Sequence, residues 1–176
     1  MIIMKKVLIV IDMQNDFITG ALGTPEAVAI VDNVKNKIKQ YDAADIFFTR
    51  DTHEENYLST LEGQNLPIPH CIRGSEGWQI HPEIAKLLIG ATRIDKPAFG
   101  SVELGQLLSV INRREPLEIE IVGLCTDICV LANAMIFSSF MPNVPITVDS
   151  SCCAGASPES HDRALESLRS CMINVI

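Results

Sequence analysis

The sequence predicts an α/β fold: a three-layer, doubly wound, mostly parallel six-stranded sheet with helices on both faces. Three observations predict it. Short runs rich in β-branched residues alternate with segments whose apolar residues recur at helical spacing. The strand runs are apolar nearly throughout, as in strands buried on both faces, which points to parallel pairing. Polar groups follow the ends of several strands, where sheets of this kind bind ligands. The 176 residues are expected to form one domain, 1–176, with a core that needs no disulfide or structural metal.

The first strand is expected over 7–11, ending abruptly at Asp12. Gly20 and Gly23 mark a loop, after which Thr24 as N-cap and Pro25 at the first helical position start a helix. Ala27, Val31, Val34 and Ile38 form its apolar stripe, and it is expected to reach about residue 40. Residues 44–49 read as strand two, which Arg50, Asp51, Thr52 and His53 leave. From there to His81 the chain holds Gly63, Pro67, Pro69, Gly74 and Gly77 without periodicity, and a loop of that length is usually functional. Pro82 opens a short helix to Leu88, and 92–94 read as strand three.

Ser101 caps a helix carrying Val102, Leu104, Leu107, Leu108 and Ile111. Strand four is expected over 117–122, followed by Gly123-Leu-Cys125-Thr-Asp-Ile-Cys129 and a helix over 130–140. Strand five is expected over 144–148 with Asp149 as its stop, then a helix from Ser157 and Pro158 to about residue 170, then a sixth strand within 172–176. With the strand order 3-2-1-4-5-6, Asp12 and Cys129 face each other across the crevice between strands one and four.

Composition narrows the function. The net charge of -8 argues against nucleic acid as a partner, since phosphate binding wants a basic face. No apolar run approaches the length of a membrane span, and the apolar residues near Lys5 and Lys6 stop at Asp12 without a cleavage site, so a cytoplasmic protein is expected. The six cysteines contain no Cys-x-x-Cys pair and are expected to be reduced. Dinucleotide, phosphate-loop and serine-elbow motifs are missing.

Asp12, Lys96 and Cys129 make a chemically coherent set at the strand ends. An ammonium beside a cysteine favours thiolate, a carboxylate can move a proton to a leaving amine, and a cysteine in the first turn of a helix is expected to have a lowered pKa. A Cys-His arrangement using His70, His81 or His161 competes with it. Asp51, His53 and His70, with Glu62 as a possible fourth donor, suit a divalent metal such as zinc, iron or manganese. An ordinary polar loop is the equal alternative. Taken singly, each of these residues reads as structural; their joint placement is what points to a site.

Five motifs resemble the isochorismatase-like cysteine hydrolase family, and within it the nicotinamidases. They are Asp12-Met-Gln-Asn-Asp-Phe17, Asp51-Thr-His53, Pro69-His70-Cys-Ile-Arg-Gly74, Lys96-Pro-Ala-Phe-Gly-Ser101, and Gly123-Leu-Cys-Thr-Asp-Ile-Cys129-Val. The resemblance covers nearly the whole chain. It implies a catalytic triad of Asp12, Lys96 and Cys129, a cis peptide between Leu124 and Cys125, and an oxyanion hole from the N–H groups of Cys125 and Cys129. It implies Phe17 and Trp78 as walls for a substrate ring. It also implies a metal on Asp51, His53 and His70, with Glu62 in some members, that holds the ring nitrogen of nicotinamide.

A homodimer or larger homo-oligomer acting on a small amide is expected on the same grounds. Cys125 stands where nicotinamidases often have Ala, Thr52 where they often have Trp, and the chain is short for the family. These departures bear on the substrate more than on the chemistry, and another small amide or a carbamoyl compound is the alternative. A thiol redox protein using Cys125 and Cys129, or a non-catalytic binding module, is the reading from other classes.

Overall fold

In the computed structural model, residues 4–176 are described. Six parallel strands lie in the order β3-β2-β1-β4-β5-β6, as expected. They are β1 (Lys5–Ile11), β2 (Ile46–Asp51), β3 (Thr92–Lys96), β4 (Leu117–Leu124), β5 (Ile146–Ala154) and β6 (Asn174–Val175).

The period-two geometry of β1 builds both layers of the core at once. Val7, Ile9 and Ile11 point to one face, with Ile119, Ile121, Leu104, Leu108, Ala134, Phe137, Leu165 and Leu168. Leu8 and Val10 point to the other, with Val122, Ala27, Val31, Val34, Ile38 and Ile84. The first face is covered by α6 (Val102–Arg114), α7 (Leu131–Phe140) and α8 (Pro158–Ser170), the second by α2 (Pro25–Ala29), α3 (Val31–Ile38) and α5 (Pro82–Ala85). Thr24, Ser101 and Ser157 cap α2, α6 and α8, each side chain accepting a backbone N–H of the first turn. Among the described residues, no helix is long and apolar enough to cross a membrane.

Several boundaries differ from expectation, each for a local reason. The single helix expected over 25–40 is two segments meeting at Ile30, along one shared buried stripe. β2 begins two residues late because 43–45 form a tight 3₁₀ turn. β3 runs on to Lys96, whose backbone pairs in register with Asp51. β5 does not stop at Asp149: β4 advances from Ile121 to Gly123 while β5 advances from Val148 to Cys153, a bulge that Lys37 and Ser151 stabilise by engaging the Asp149 carboxylate.

The long loop after β2 holds a 3₁₀ turn at Tyr57–Ser59 and a one-turn helix, α4 (Leu61–Asn65), capped by Thr60. Upstream of it, α1 (Asn15–Ile18) follows β1 directly.

One glycine sets the crevice. Gly123 has φ 120°, and a Cβ there would lie 2.1 Å from the carbonyl oxygen of Ile11. Only glycine lets the end of β4 approach β1 so closely, and that approach brings residues 125–129 beside Asp12.

Candidate active site

Asp12 directly ends β1, Asp51 ends β2, Lys96 ends β3, and Cys129 follows β4. All four are buried at the same edge of the sheet. The Lys96 ammonium joins them: Nζ lies 2.7 Å from Asp12 Oδ2, 3.2 Å from Asp51 Oδ1 and 3.4 Å from Cys129 Sγ. Its fourth neighbour is the Ala98 carbonyl, at 3.1 Å. Asp12 has φ 46°, an unusual conformation for a residue with a side chain. Thr49 helps hold it there: its hydroxyl donates to Asp12 Oδ1 at 2.6 Å and accepts the Asp12 N–H at 3.2 Å.

Cys129 does not sit in the first turn of an α-helix as expected. Residues Thr126–Val130 form a wide π-type turn that leads into α7, and the Leu124–Cys125 peptide before it is cis. The expected lowering of the Cys129 pKa is also reversed. Burial pushes the thiol well up, Asp12 adds to the rise, and Lys96 only partly offsets it. Asp12 is likewise raised, by burial first, against the pull of Lys96. Burial pushes Lys96 down, but Asp12, Cys129 and Asp51 outweigh it and keep the ammonium charged. Burial thus works against the anionic form of both Cys129 and Asp12, and the positive charge of Lys96 between them works for it.

Next to this trio, Asp51, His53, Glu62 and His70 place one donor atom each within 4.8 Å of one another. His53 Nε2 lies 3.0 Å from Asp51 Oδ2 and 3.5 Å from Glu62 Oε1, and His70 Nε2 lies 3.4 Å from Glu62 Oε1. The backbone carbonyl of Ile68 accepts from His70 Nδ1 at 2.8 Å, which turns Nε2 toward the carboxylates. His53 Nε2 is buried and has no hydrogen bond of good geometry.

Burial pushes His53 down, yet the two carboxylates outweigh it and hold the imidazole up at about 9. Burial pushes Glu62 up, but His53 and His70 bring it down to about 2. The four residues thus bring together two imidazole and two carboxylate donors, a set that fits a divalent cation of borderline softness.

A cavity of about 480 Å³ opens over both groups, with Asp51, Glu62, His70 and Cys129 in its floor and Phe17, Leu22, Leu66, Pro97, Phe99 and Ile128 among its walls. Cys125 also lines it. A small planar molecule with one polar end fits such a space. Phe17 is one of its walls. Trp78, expected to wall the same space, does not line it: its ring stacks on Arg50, 3.5 Å from Cζ, and its indole N–H donates to Thr52 Oγ1 at 2.8 Å. It covers the two-point Arg50–Asp95 ion pair instead of the cavity. His81 and His161 stand outside the cavity, the latter 2.8 Å from Thr126 Oγ1. The six cysteines are all unpaired.

Two supporting residues escaped the sequence reading. Thr49 is a buried hydroxyl in an otherwise apolar stretch of β2, which is the signal that singles it out. Gln14 is also fully buried. It accepts the Asp51 N–H at 2.7 Å and donates to the Asp51 carbonyl at 2.8 Å, holding that residue's backbone from both sides.

The isochorismatase domain family matches residues 6–176. The nicotinamidase/pyrazinamidase of Mycobacterium tuberculosis is 26% identical over 187 residues, covering 97% of this chain and 98% of that protein. Among solved structures, the nicotinamidase/pyrazinamidase of Bacillus subtilis superposes with a TM-score of 0.82 at 27% identity, covering 98% of this chain and 99% of that one. The pyrazinamidase of Pyrococcus horikoshii in complex with zinc gives 0.76 at 29% identity, covering 97% and 98%.

Proposed function

The chain belongs to the isochorismatase family, and on that premise we propose that it is a nicotinamidase, a cysteine amidohydrolase converting nicotinamide to nicotinic acid and ammonia. The observation that carries this is the convergence of Asp12, Asp51 and Cys129 on one ammonium, Lys96 Nζ, beside a cavity that Asp51, Glu62, His70 and Cys129 line. Relatives and solved neighbours that bear the same activity in their names support it.

The reaction follows from the charges. Cys129 Sγ adds to the amide carbon as its proton passes to Asp12, a carboxylate that burial makes a stronger base than an exposed one. The oxyanion is held by the N–H groups of Cys125 and Cys129. On collapse the C–N bond breaks, the proton on Asp12 goes to the nitrogen, and ammonia leaves a thioester on Cys129. Water then adds to the thioester while Asp12 takes one of its protons. The C–S bond breaks and that proton returns to sulfur. Lys96 stays charged throughout and stabilises whichever of Asp12 or Cys129 is the anion.

Asp51, His53, Glu62 and His70 would hold a divalent ion, with zinc first and iron or manganese as the alternatives. When bound, such an ion supplies a Lewis-acidic point for the ring nitrogen. We place the enzyme in the cytoplasm as a homodimer or larger homo-oligomer, an assembly that light scattering measures.

The test is ammonia and nicotinate release from nicotinamide, with intact mass spectrometry for an acyl adduct on Cys129. The Cys129→Ala protein is expected to lose turnover by at least about 10³-fold; turnover at the full rate would overturn the reading. A panel of other small amides and carbamoyl compounds in the same assay decides the substrate.

A further inference from the structure

Asn133 lies on α7, one turn beyond Cys129, and is fully buried. It does not line the cavity. Its amide nevertheless makes three hydrogen bonds, each to backbone, and they join two separate segments. Nδ2 donates to the carbonyl of Cys129 at 2.8 Å and to that of Phe99 at 3.2 Å, and Oδ1 accepts the N–H of Ser101 at 2.9 Å. Both donor hydrogens of the amide are used, and its oxygen is engaged as well.

The two segments border one space: Pro97, Ala98 and Phe99 line the cavity, and so do Ile128 and Cys129. The first segment also anchors the ammonium, through the contact of Lys96 Nζ with the Ala98 carbonyl at 3.1 Å. Gly100 lets this loop lie directly on α7: a Cβ there would meet Ile136 Cδ1 at 2.4 Å and the carbonyl carbon of Ala132 at 3.4 Å. The helix that follows the loop has its own cap, since the Ser101 hydroxyl accepts the N–H of Leu104 at 3.0 Å. Asn133 is not needed to start α6. What it fixes is the distance between the loop and the turn of the nucleophile.

We propose that Asn133 is a positioning residue that sets the width of the substrate slot between Phe99 and Cys129 and the alignment of Lys96 on the cysteine, without touching substrate itself. The inference rests on Cys129 being the nucleophile of an amidohydrolase. Small misplacements at a reacting centre cost up to about a hundredfold in rate, even when the altered residue is remote from the chemistry.

The experiment compares the wild-type protein with Asn133→Ala, Asn133→Asp and Gly100→Ala, with active sites counted by stoichiometric iodoacetamide alkylation of Cys129. The Asp variant keeps an acceptor for Ser101 but sets a carboxylate against two carbonyls; the Gly100 variant sets a methyl group against Ile136, on the same helix that carries Asn133. All three are expected to lose between about tenfold and a hundredfold in kcat/KM per titrated site. They are also expected to narrow the preference for nicotinamide over a bulkier ring-substituted nicotinamide, and to shift the pH profile of Cys129 alkylation.

Variants that melt earlier but keep kcat/KM, the analogue preference and the alkylation profile within twofold of wild type would overturn the proposal, leaving Asn133 a packing residue. Turnover of nicotinamide by the wild type tests the substrate reading separately. If it fails, the variants are judged on whichever amide the wild type hydrolyses and on the alkylation profile, which needs no substrate.

Discussion

Asp12 must give and take a proton, and one hydroxyl bears directly on when it can. The carboxyl is raised by burial, lowered by Lys96 and raised again by Asp51, and the Thr49 hydrogen bond lowers it further. That bond is made to the ionised form, so deleting it moves the pKa up. The thiol proton can be taken only by ionised Asp12. Thr49→Val should therefore shift the acid limb of kcat/KM toward higher pH and cost about tenfold to a hundredfold at the optimum, the range expected for one hydrogen bond to a charged group. Rate profiles from acid to neutral pH measure it, and an unmoved limb would remove Thr49 from the proton path. Lys96→Met is the harsher change, since it leaves Asp12, Asp51 and Cys129 buried without their cation. It is expected to abolish measurable turnover of nicotinamide while Cys129 remains countable by denaturing thiol titration.

At the scale of elements, the strand ends were readable and the turns between them were not. Val7, Leu8, Ile9, Val10 and Ile11 announce a buried strand, so Asp12 directly after them is legible as a residue at the sheet's edge, and Lys96 is legible in the same way just beyond the expected strand 92–94. The wide turn at Thr126–Val130 carries no hydrophobic period of its own and reads as plain helix. β5 runs past its expected stop because Asp149, which looks like a strand end in sequence, is held inside the strand by Lys37, arriving from α3, and by Ser151. Trp78 is expected as a wall only through the family resemblance, while its real partner, Arg50, is known only once β2 and the loop are folded together.

Gly123 is the element-scale device that composition could not reveal. With φ 120° and Ile11 O at 2.1 Å from any added Cβ, Gly123→Ala combines a strained backbone with a clash. It should cost upward of about 1–3 kcal/mol in denaturant unfolding and abolish turnover in whatever fraction stays folded. A stable and active Gly123→Ala protein would mean that the approach of β4 to β1 does not set the site.

Over the whole molecule, Asp51 is where the two halves of the site meet. One oxygen faces Lys96 at 3.2 Å and the other faces His53 at 3.0 Å, while Gln14 holds its backbone. The other three donors come from the long loop: His53 at its start, Glu62 in α4, and His70 beyond it. A cation bound there ties that loop to the sheet, and a ligand that binds only the folded state adds stability in proportion to the logarithm of its excess over Kd. At a hundredfold excess that is about 2.7 kcal/mol, which for a chain of this length moves the melting temperature by about 5–10 °C.

Stripping with a chelator should therefore lower Tm by that order and suppress turnover, with both restored by adding zinc. His53→Ala should lose the chelator response altogether, because its melting point already lies near that of the stripped protein. The loop is also the segment whose amide exchange should speed up on stripping, while the β1–β4 core stays protected. Metal analysis, calorimetry and hydrogen exchange on the same sample check the three together. Equal melting points with and without chelator, in a protein containing stoichiometric metal, would place the ion somewhere other than Asp51, His53, Glu62 and His70.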